Sequence, residues 1–195
     1  SDNRRALLVD PAYHRNVGDH MITLGELEFI KRLGYAAETQ SQCHLVQAGE
    51  FVPHCNVVIE QQNPAQVVQP LALWHGGGNW GDIWPVQGAR IASFVPPLEK
   101  NFSIVSMPQS FHYGEHELEK RDAEKFKSNI AKGMWSRSQN ASILDTTEGQ
   151  NRSMSRVVLS WREHKSYRKA LKRYPFANNI IVPDIAFQLG PYAPM

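Results

Sequence analysis

Apolar positions along the chain fall into short unbroken runs separated by stretches with helical spacing. Residues 5–10, led by Ala6-Leu-Leu-Val9, form a continuous apolar run that predicts a buried strand. In residues 18–33, Met21, Leu24, Leu27, Ile30 and Leu33 recur at helical spacing until Gly34 stops the pattern. A strand is expected at 36–40, with further buried strands at 56–60 and 71–74. Residues 87–95 read as a helix ended by Pro96-Pro97, and 102–107 as another strand. A charged amphipathic helix at 115–132, a strand at 156–161, a helix at 163–174 and a last strand at 179–182 complete the pattern. The strands are continuous rather than alternating, so both faces of their sheet must be covered. The expected fold class is α/β: a Rossmann-like, doubly wound, mainly parallel sheet whose ligands bind at the carboxyl ends of the strands.

Polar clusters follow four of these strands. The most distinctive begins at Trp74 and runs through His75, Gly76, Gly77, Gly78, Asn79 and Trp80 to Trp84. Three bare residues behind an apolar run predict strand, open backbone, then helix, a turn able to cradle a phosphate or carboxylate. His75 and the tryptophans would wall that pocket; the same residues also suit a surface loop with tryptophans in the core. The other clusters are residues 14–19, Pro108-Gln-Ser-Phe-His112, and Arg162-Glu163. All four are expected to face one crevice. Asp19 suits the unpaired N–H groups of a helix's first turn, as a cap or as part of a site, whereas Asn16 has less to do as structure.

Charge narrows the classes of function. The net charge is +2 and the basic residues are scattered, which is not the footprint of a nucleic-acid binder. Apolar runs stay far short of the roughly 20 residues that cross a bilayer, so no membrane contact is expected from this segment. Cys43 and Cys55 are near enough in sequence to bridge across a loop, although spacing does not establish the geometry. Three N-x-S/T sequons, at Asn101, Asn140 and Asn151, favour a secretory-pathway lumen. Asn140 and Asn151 fall in a polar stretch, 136–155, that reads as an exposed linker, while Asn101 leads straight into a strand. His112 and His116 are four apart, but Gly114 interrupts the turn and no third ligand is apparent, so no metal site is expected.

Asn16-Val-Gly-Asp19, Gly76-Gly-Gly-Asn79, Pro108-Gln-Ser110, Arg162-Glu-x-x-Ser166 and Asp184-Ile-Ala-Phe187 occur in one order between residues 7 and 189. In that order they resemble the polysaccharide pyruvyltransferase family. The sequons and the His112-Tyr113 pair bring the chain closer to eukaryotic Golgi members, which cap galactose on N-glycans, than to bacterial cell-wall or exopolysaccharide enzymes. The resemblance implies a GT-B-like fold of two Rossmann-type halves. It also implies transfer of pyruvate from phosphoenolpyruvate, a donor substrate rather than a cofactor, onto two hydroxyls of a terminal sugar to give a cyclic ketal. A Golgi lumen follows from the same resemblance, with a bacterial cytoplasm as the alternative. Residues 1–195 would then be the N-terminal half, with a hinge beginning in 183–195; the second half would be missing and the apolar surface that meets it left exposed.

The implied chemistry needs an acid, a base and cationic holders for carboxylate and phosphate. Arg162 is the expected donor holder, because its guanidinium fork matches such oxygens, although Glu163 is placed to pair with it instead. His112 is the expected acid or base, on a turn out of its strand made by Pro-Gln-Ser. The substrate-binding set adds Asn16, Asp19, His75, Gly76, Gly77, Gly78, Asn79, Gln109, Ser110 and Glu163, with Ser166 capping or orienting Arg162. Trp80 and Trp84 either stack on the acceptor galactose of a glycan or belong to the core. Two other classes fit the same pattern: a GT-B glycosyltransferase using a nucleotide sugar, and a carbohydrate-binding domain without catalysis.

Overall fold

The computed structural model describes residues 5–9, 12, 15–34, 36–39, 71–83, 87–99, 102–138 and 156–189. Strand β1 (Arg5–Val9) leads to helix α1 (Val17–Arg32) and strand β2 (Ala36–Thr39). Strands β3 (Leu71–Trp74) and β4 (Gly77–Gly81) precede helices α2 (Gln87–Ser93) and α3 (Val95–Glu99). Then come β5 (Ser103–His112), α4 (His116–Ser138), β6 (Val157–Trp161), α5 (His164–Arg173), β7 (Asn178–Ile181) and a closing 3₁₀ turn, Ile185–Leu189. The strands form one sheet in the order β2-β1-β3-β5-β6-β7, with β4 also on β5, and every pairing is parallel. This is the α/β, Rossmann-like arrangement the continuous apolar strands called for.

Successive strand residues point to opposite faces, which divides the core in two. Ala6 and Leu8 join Ile22, Ile30, Leu73, Met107 and Ile185 beneath α1 and the closing turn. Leu7 and Val9 join the larger cluster under the other helices, with Trp74, Trp80, Phe94, Phe111, Phe126, Trp161 and Tyr174. Here Trp74 stacks on Phe94 at 4.3 Å between centroids, and Trp80 meets Phe126, Trp161 and Tyr174 edge-on at 5.4–5.6 Å. Trp80 Nε1 donates to the Tyr174 hydroxyl at 3.0 Å, so the indole is buried without an unpaired polar atom. Burial pushes the Tyr174 phenol well above its ordinary value, which keeps it neutral inside the core. Trp80 is therefore a core residue and offers no face to an acceptor sugar.

The glycine run departs from the expected cradle. Gly77–Gly81 is a strand, not a turn leading directly into a helix. Leu71 to Trp74 pair with Ser103 to Ser106, and Gly77, Trp80 and Gly81 pair with Gln109, Phe111 and His112, so β3 and β4 are two parts of one broken strand along β5. Close backbone approach explains the glycines. A Cβ on Gly76 would lie 2.9 Å from the Pro108 carbonyl oxygen, and one on Gly81, where φ is 138°, would lie 1.4 Å from the His112 carbonyl oxygen. The expected turn at Pro-Gln-Ser is likewise absent, because β5 continues to His112. Pro108 has no N–H for the ladder, and both registers shift beside it: that with β4 between Gly77 and Trp80, and that with β6 between Ser106 and Gln109.

Pro96 and Pro97 lie inside α3 rather than ending a helix, since the first turn needs no donor from them. Helix α4 runs to Ser138, beyond the expected end at 132. Among the described residues no helix is long and apolar enough to cross a membrane. The expected strand at 56–60, Cys43, Cys55, the sequon asparagines 101, 140 and 151, residues 139–155 of the expected linker, His14 and Trp84 lie outside the described residues.

Candidate functional site

Phe111 is buried in the aromatic cluster, so strand alternation turns its neighbours Ser110 and His112 to the opposite face, the one that carries α1. Arg162 follows β6 immediately, and its N–H donates to the Gln109 carbonyl at 3.1 Å, which extends the sheet past the end of the strand. Its side chain is held at two points. Nε donates to Ser110 Oγ at 2.6 Å and Nη1 to Asp184 Oδ2 at 2.9 Å. Asp184 is itself fixed by the Ala186 N–H, which donates to Oδ1 at 3.0 Å as the closing turn begins.

A serine and glutamate chain backs the arginine. Ser110 donates to Glu163 Oε2 at 3.0 Å, and Ser166 donates to Glu163 Oε1 at 2.6 Å. Ser166 Oγ also accepts the Phe111 N–H at 2.7 Å. Ser166 thus acts through Glu163 and does not touch Arg162, while Glu163 stands 3.8 Å from Arg162 Nε, a looser contact than the one to Asp184. Asp184, placed by the sequence in a hinge, is the main counter-ion. Beside this group lies Gly78, where a Cβ would sit in ordinary contact at 3.7 Å from Arg162 Nη2, and the arginine side chain is 29% exposed.

His112 ends β5 on the same face. Its Nδ1 lies 3.3 Å from Asp82 Oδ1, and Asp82 Oδ2 accepts the N–H groups of Gly114 at 2.7 Å and Glu115 at 3.2 Å. Burial pushes the Asp82 carboxyl up, but those two N–H donors and the bond to His112 together outweigh it and hold the carboxyl below its usual range. An ionised Asp82 therefore orients an exposed imidazole. Asp82 escaped the sequence reading, because only the pairing of Gly81 with His112 brings it to the ring.

His75 is buried at the end of β3, with Nδ1 2.9 Å from Oε2 of Glu26 on α1. Glu26 was also missed. It lies four residues from both Ile22 and Ile30, on the buried stripe of α1, where a carboxylate signals a polar partner. Gln109 proves structural: fully buried, it donates through Nε2 to the His75 carbonyl and accepts from Arg90 Nη1 at 3.4 Å, so neither end of its amide is offered to a ligand. Asn16 also has a structural role. Its Oδ1 accepts the Gly18 N–H at 3.0 Å as the N-cap of α1, and its Nδ2 donates to Asp19 Oδ2 at 3.0 Å. Asn79 contributes backbone to β4.

The structure thus gathers Ser110, Arg162, Glu163 and Ser166 with Asp184 in one network and pairs His112 with Asp82 and His75 with Glu26, with Arg162, His112 and His75 at the carboxyl ends of β6, β5 and β3. No protein family model matches the chain. It is similar to Pyruvyl transferase 1 of Schizosaccharomyces pombe, 29% identical over 119 residues that make up 60% of this chain and 23% of that protein. It is also similar to the structure of an uncharacterized protein from Klebsiella pneumoniae, with a TM-score of 0.49 and 18% identity over 97% of this chain and 52% of the other. The chain thus spans about half of the bacterial protein, and its match to the Schizosaccharomyces pombe protein spans under a quarter of that relative.

Proposed function

We propose that this chain is part of a pyruvyltransferase that moves pyruvate from phosphoenolpyruvate onto two hydroxyls of a terminal β-galactose, forming a cyclic ketal. Similarity to Pyruvyl transferase 1 supports pyruvyl transfer in general. The observation that carries the finer reading is Arg162, secured by Ser110 and Asp184 beside the bare Gly78, on the same face as the His112–Asp82 pair. A partly exposed guanidinium secured through Nε and Nη1 is suited to donor carboxylate or phosphate oxygens. Its two fixed contacts reduce the reorganisation needed when charge develops there.

The reaction takes two protons from sugar hydroxyls, delivers one to the methylene carbon of the donor and sends one away with the phosphate. His112 is suited to carry a proton in that exchange, with Asp82 fixing the ring. A second Rossmann-like half, outside this chain, would close the cleft as in a GT-B-like fold. The three sequons support placing the protein in the Golgi lumen.

Phosphate release from phosphoenolpyruvate by the full-length protein, with a β-galactoside acceptor and mass analysis of the product, tests this reading. Acceptor-dependent release with a ketal on the sugar is expected. Absence of release with every galactoside tried would sink it, and thermal protection by nucleotides but not by phosphoenolpyruvate would favour a nucleotide-sugar glycosyltransferase.

A further inference from the structure

The net charge of the chain is only +2, yet the fold concentrates its cations. Helix α5 contains five lysines and arginines in ten residues and no acid, and no acid follows before Asp184. Lys165, Arg168 and Lys172 recur at helical spacing on its exposed side. Like charges three and four residues apart repel, and a helix face that merely meets water intersperses acids among its bases, as α4 does where Lys120 donates to Glu117 at 3.0 Å. Among the described residues, Lys165, Arg168 and Lys172 have no such partner.

The row ends in a groove. Between α4 and the end of α5 lies a cleft of about 360 Å³, lined on its apolar part by Ala123, Pro175 and Phe176. Phe176 is half-buried, its ring set by Phe126 and Tyr174, each 5.9 Å away between centroids. Two cations of the cleft already have acids: Lys120 has Glu117, and Arg173 donates through Nε to Glu119 Oε1 at 2.7 Å. Lys127 and Lys172, both exposed, have none among the described residues. Glu124 is the one acid among the described lining residues, so two unpaired ammonium groups face a single carboxylate, and Lys165 and Arg168 add to the excess.

We infer that this groove and the basic row of α5 are a docking site, separate from Arg162, for a saccharide chain that carries carboxylates. A carboxylate meets Lys127 and Lys172, while the apolar face of its sugar ring lies on Phe176. A sugar acid presents charge and apolar face on one rigid ring, which is what cations flanking a fixed aromatic receive. A bilayer surface is too flat to enter the cleft, and peptide carboxylates stand on flexible stems without a ring to lay on Phe176. Helix α5 starts beside Glu163 of the Arg162 network and reaches the groove roughly 15 Å further along its axis, a span for a short oligosaccharide. The choice of a saccharide rests on the function proposed above, and the charge of the partner rests on the cations alone. Each ketal formed in that reaction keeps the carboxylate of pyruvate, so a glycan already modified on one branch belongs to this class of partner.

Calorimetric titration of the full-length protein with trigalacturonate, and with neutral galactotriose for comparison, tests the site. Trigalacturonate is expected to bind, less tightly as salt is raised, and about tenfold more weakly to the double variant Lys127→Glu, Lys172→Glu, whose changes lie on exposed positions. Phe176→Leu, which keeps apolar bulk but removes the ring, is expected to weaken binding severalfold at every salt concentration. No binding of trigalacturonate, binding that the double variant leaves unchanged, or galactotriose binding that the double variant weakens equally overturns the site. Polyglutamate or phosphatidylserine vesicles bound as tightly as trigalacturonate, with the same loss in the double variant, overturn the assignment to a saccharide. Phosphate release with methyl β-galactoside is scored separately, and the double variant is expected to keep the wild-type rate because neither lysine belongs to the Arg162 network. A protein that releases no phosphate, yet binds trigalacturonate through these lysines, keeps the docking site and loses the pyruvyl-transfer reading.

Discussion

Arg162 is oriented before any ligand arrives, by a serine hydroxyl on Nε and a carboxylate on Nη1. On the proposed reaction, Arg162→Ala should lower kcat/KM by about 10²–10³-fold, and Arg162→Lys should recover little of that, because an ammonium cannot keep both contacts and present an edge to the donor. Steady-state phosphate release decides both. Asp82 governs the neighbouring imidazole and also links stability to pH. Its carboxyl sits below the ordinary value of about 4, so the folded state binds that proton more weakly than the unfolded chain does. Its contribution is therefore present above about pH 4 and is lost as pH falls through the lower folded value. Asp82→Asn should flatten that part of an acid-unfolding curve, and on the proposed reaction should also lower kcat, since His112 loses the carboxylate that holds its ring. Unchanged acid unfolding in the variant would refute the linkage.

At the scale of elements, close backbone contacts set the positions of the site residues. Helix α1 meets the closing turn at Gly25, where a Cβ would fall 2.3 Å from the Ile185 carbonyl oxygen. The turn that begins there also anchors Asp184. Gly25→Ala should therefore cost about 1–3 kcal/mol in chemical denaturation and should weaken donor binding by shifting the partner of Arg162. A variant with wild-type stability would show that the turn has room to move. Gly81→Ala should be more disruptive, because the new Cβ would overlap backbone of β5 rather than a movable side chain. These constraints were not legible beforehand. Three glycines after an apolar run read equally as a ligand cradle or as a strand pressed against a neighbour, and only the pairing of β4 with β5 separates the two.

For the whole molecule, the faces of the sheet and its carboxyl edge serve different ends. One face holds the interlocked aromatic cluster around Trp80; Trp80→Ala should cost about 3–5 kcal/mol, read as a shift of the denaturant midpoint, with no selective loss of acceptor affinity. A folded Trp80→Ala protein that loses only saccharide binding would contradict the core assignment. The carboxyl ends of the strands carry the polar groups. At that rim Ile83, two residues past β4, is 49% exposed, and Val17 at the start of α1 and Phe187 in the closing turn are 73% and 77% exposed. If the proposed second half packs on that rim, Ile83→Asp should lower the Tm of the full-length protein by several degrees and leave this chain alone unaffected. Equal shifts in both would place Ile83 outside that contact.

Local physics was enough to read most of the elements from the sequence: unbroken apolar runs for strands buried on both sides, helical spacing from Met21 to Leu33, and Gly34 at the end of α1. Polar residues behind those strands marked Ser110, His112, Arg162, Glu163 and Ser166 as neighbours, because parallel strands bring their carboxyl ends together. Sequence spacing carries no information about which face a residue takes once a strand runs longer than expected. That is why Gln109 turned inward and Trp80 joined the core, and why the partners Asp82, Asp184 and Glu26 came into view only in three dimensions. Each is brought to its histidine or arginine by a pairing between segments distant in sequence: Gly81 against His112, the closing turn against α1, and α1 against the broken strand at His75. Strand and helix formation answers to near neighbours along the chain, whereas charge pairing and burial answer to distance in space, which tertiary structure alone decides.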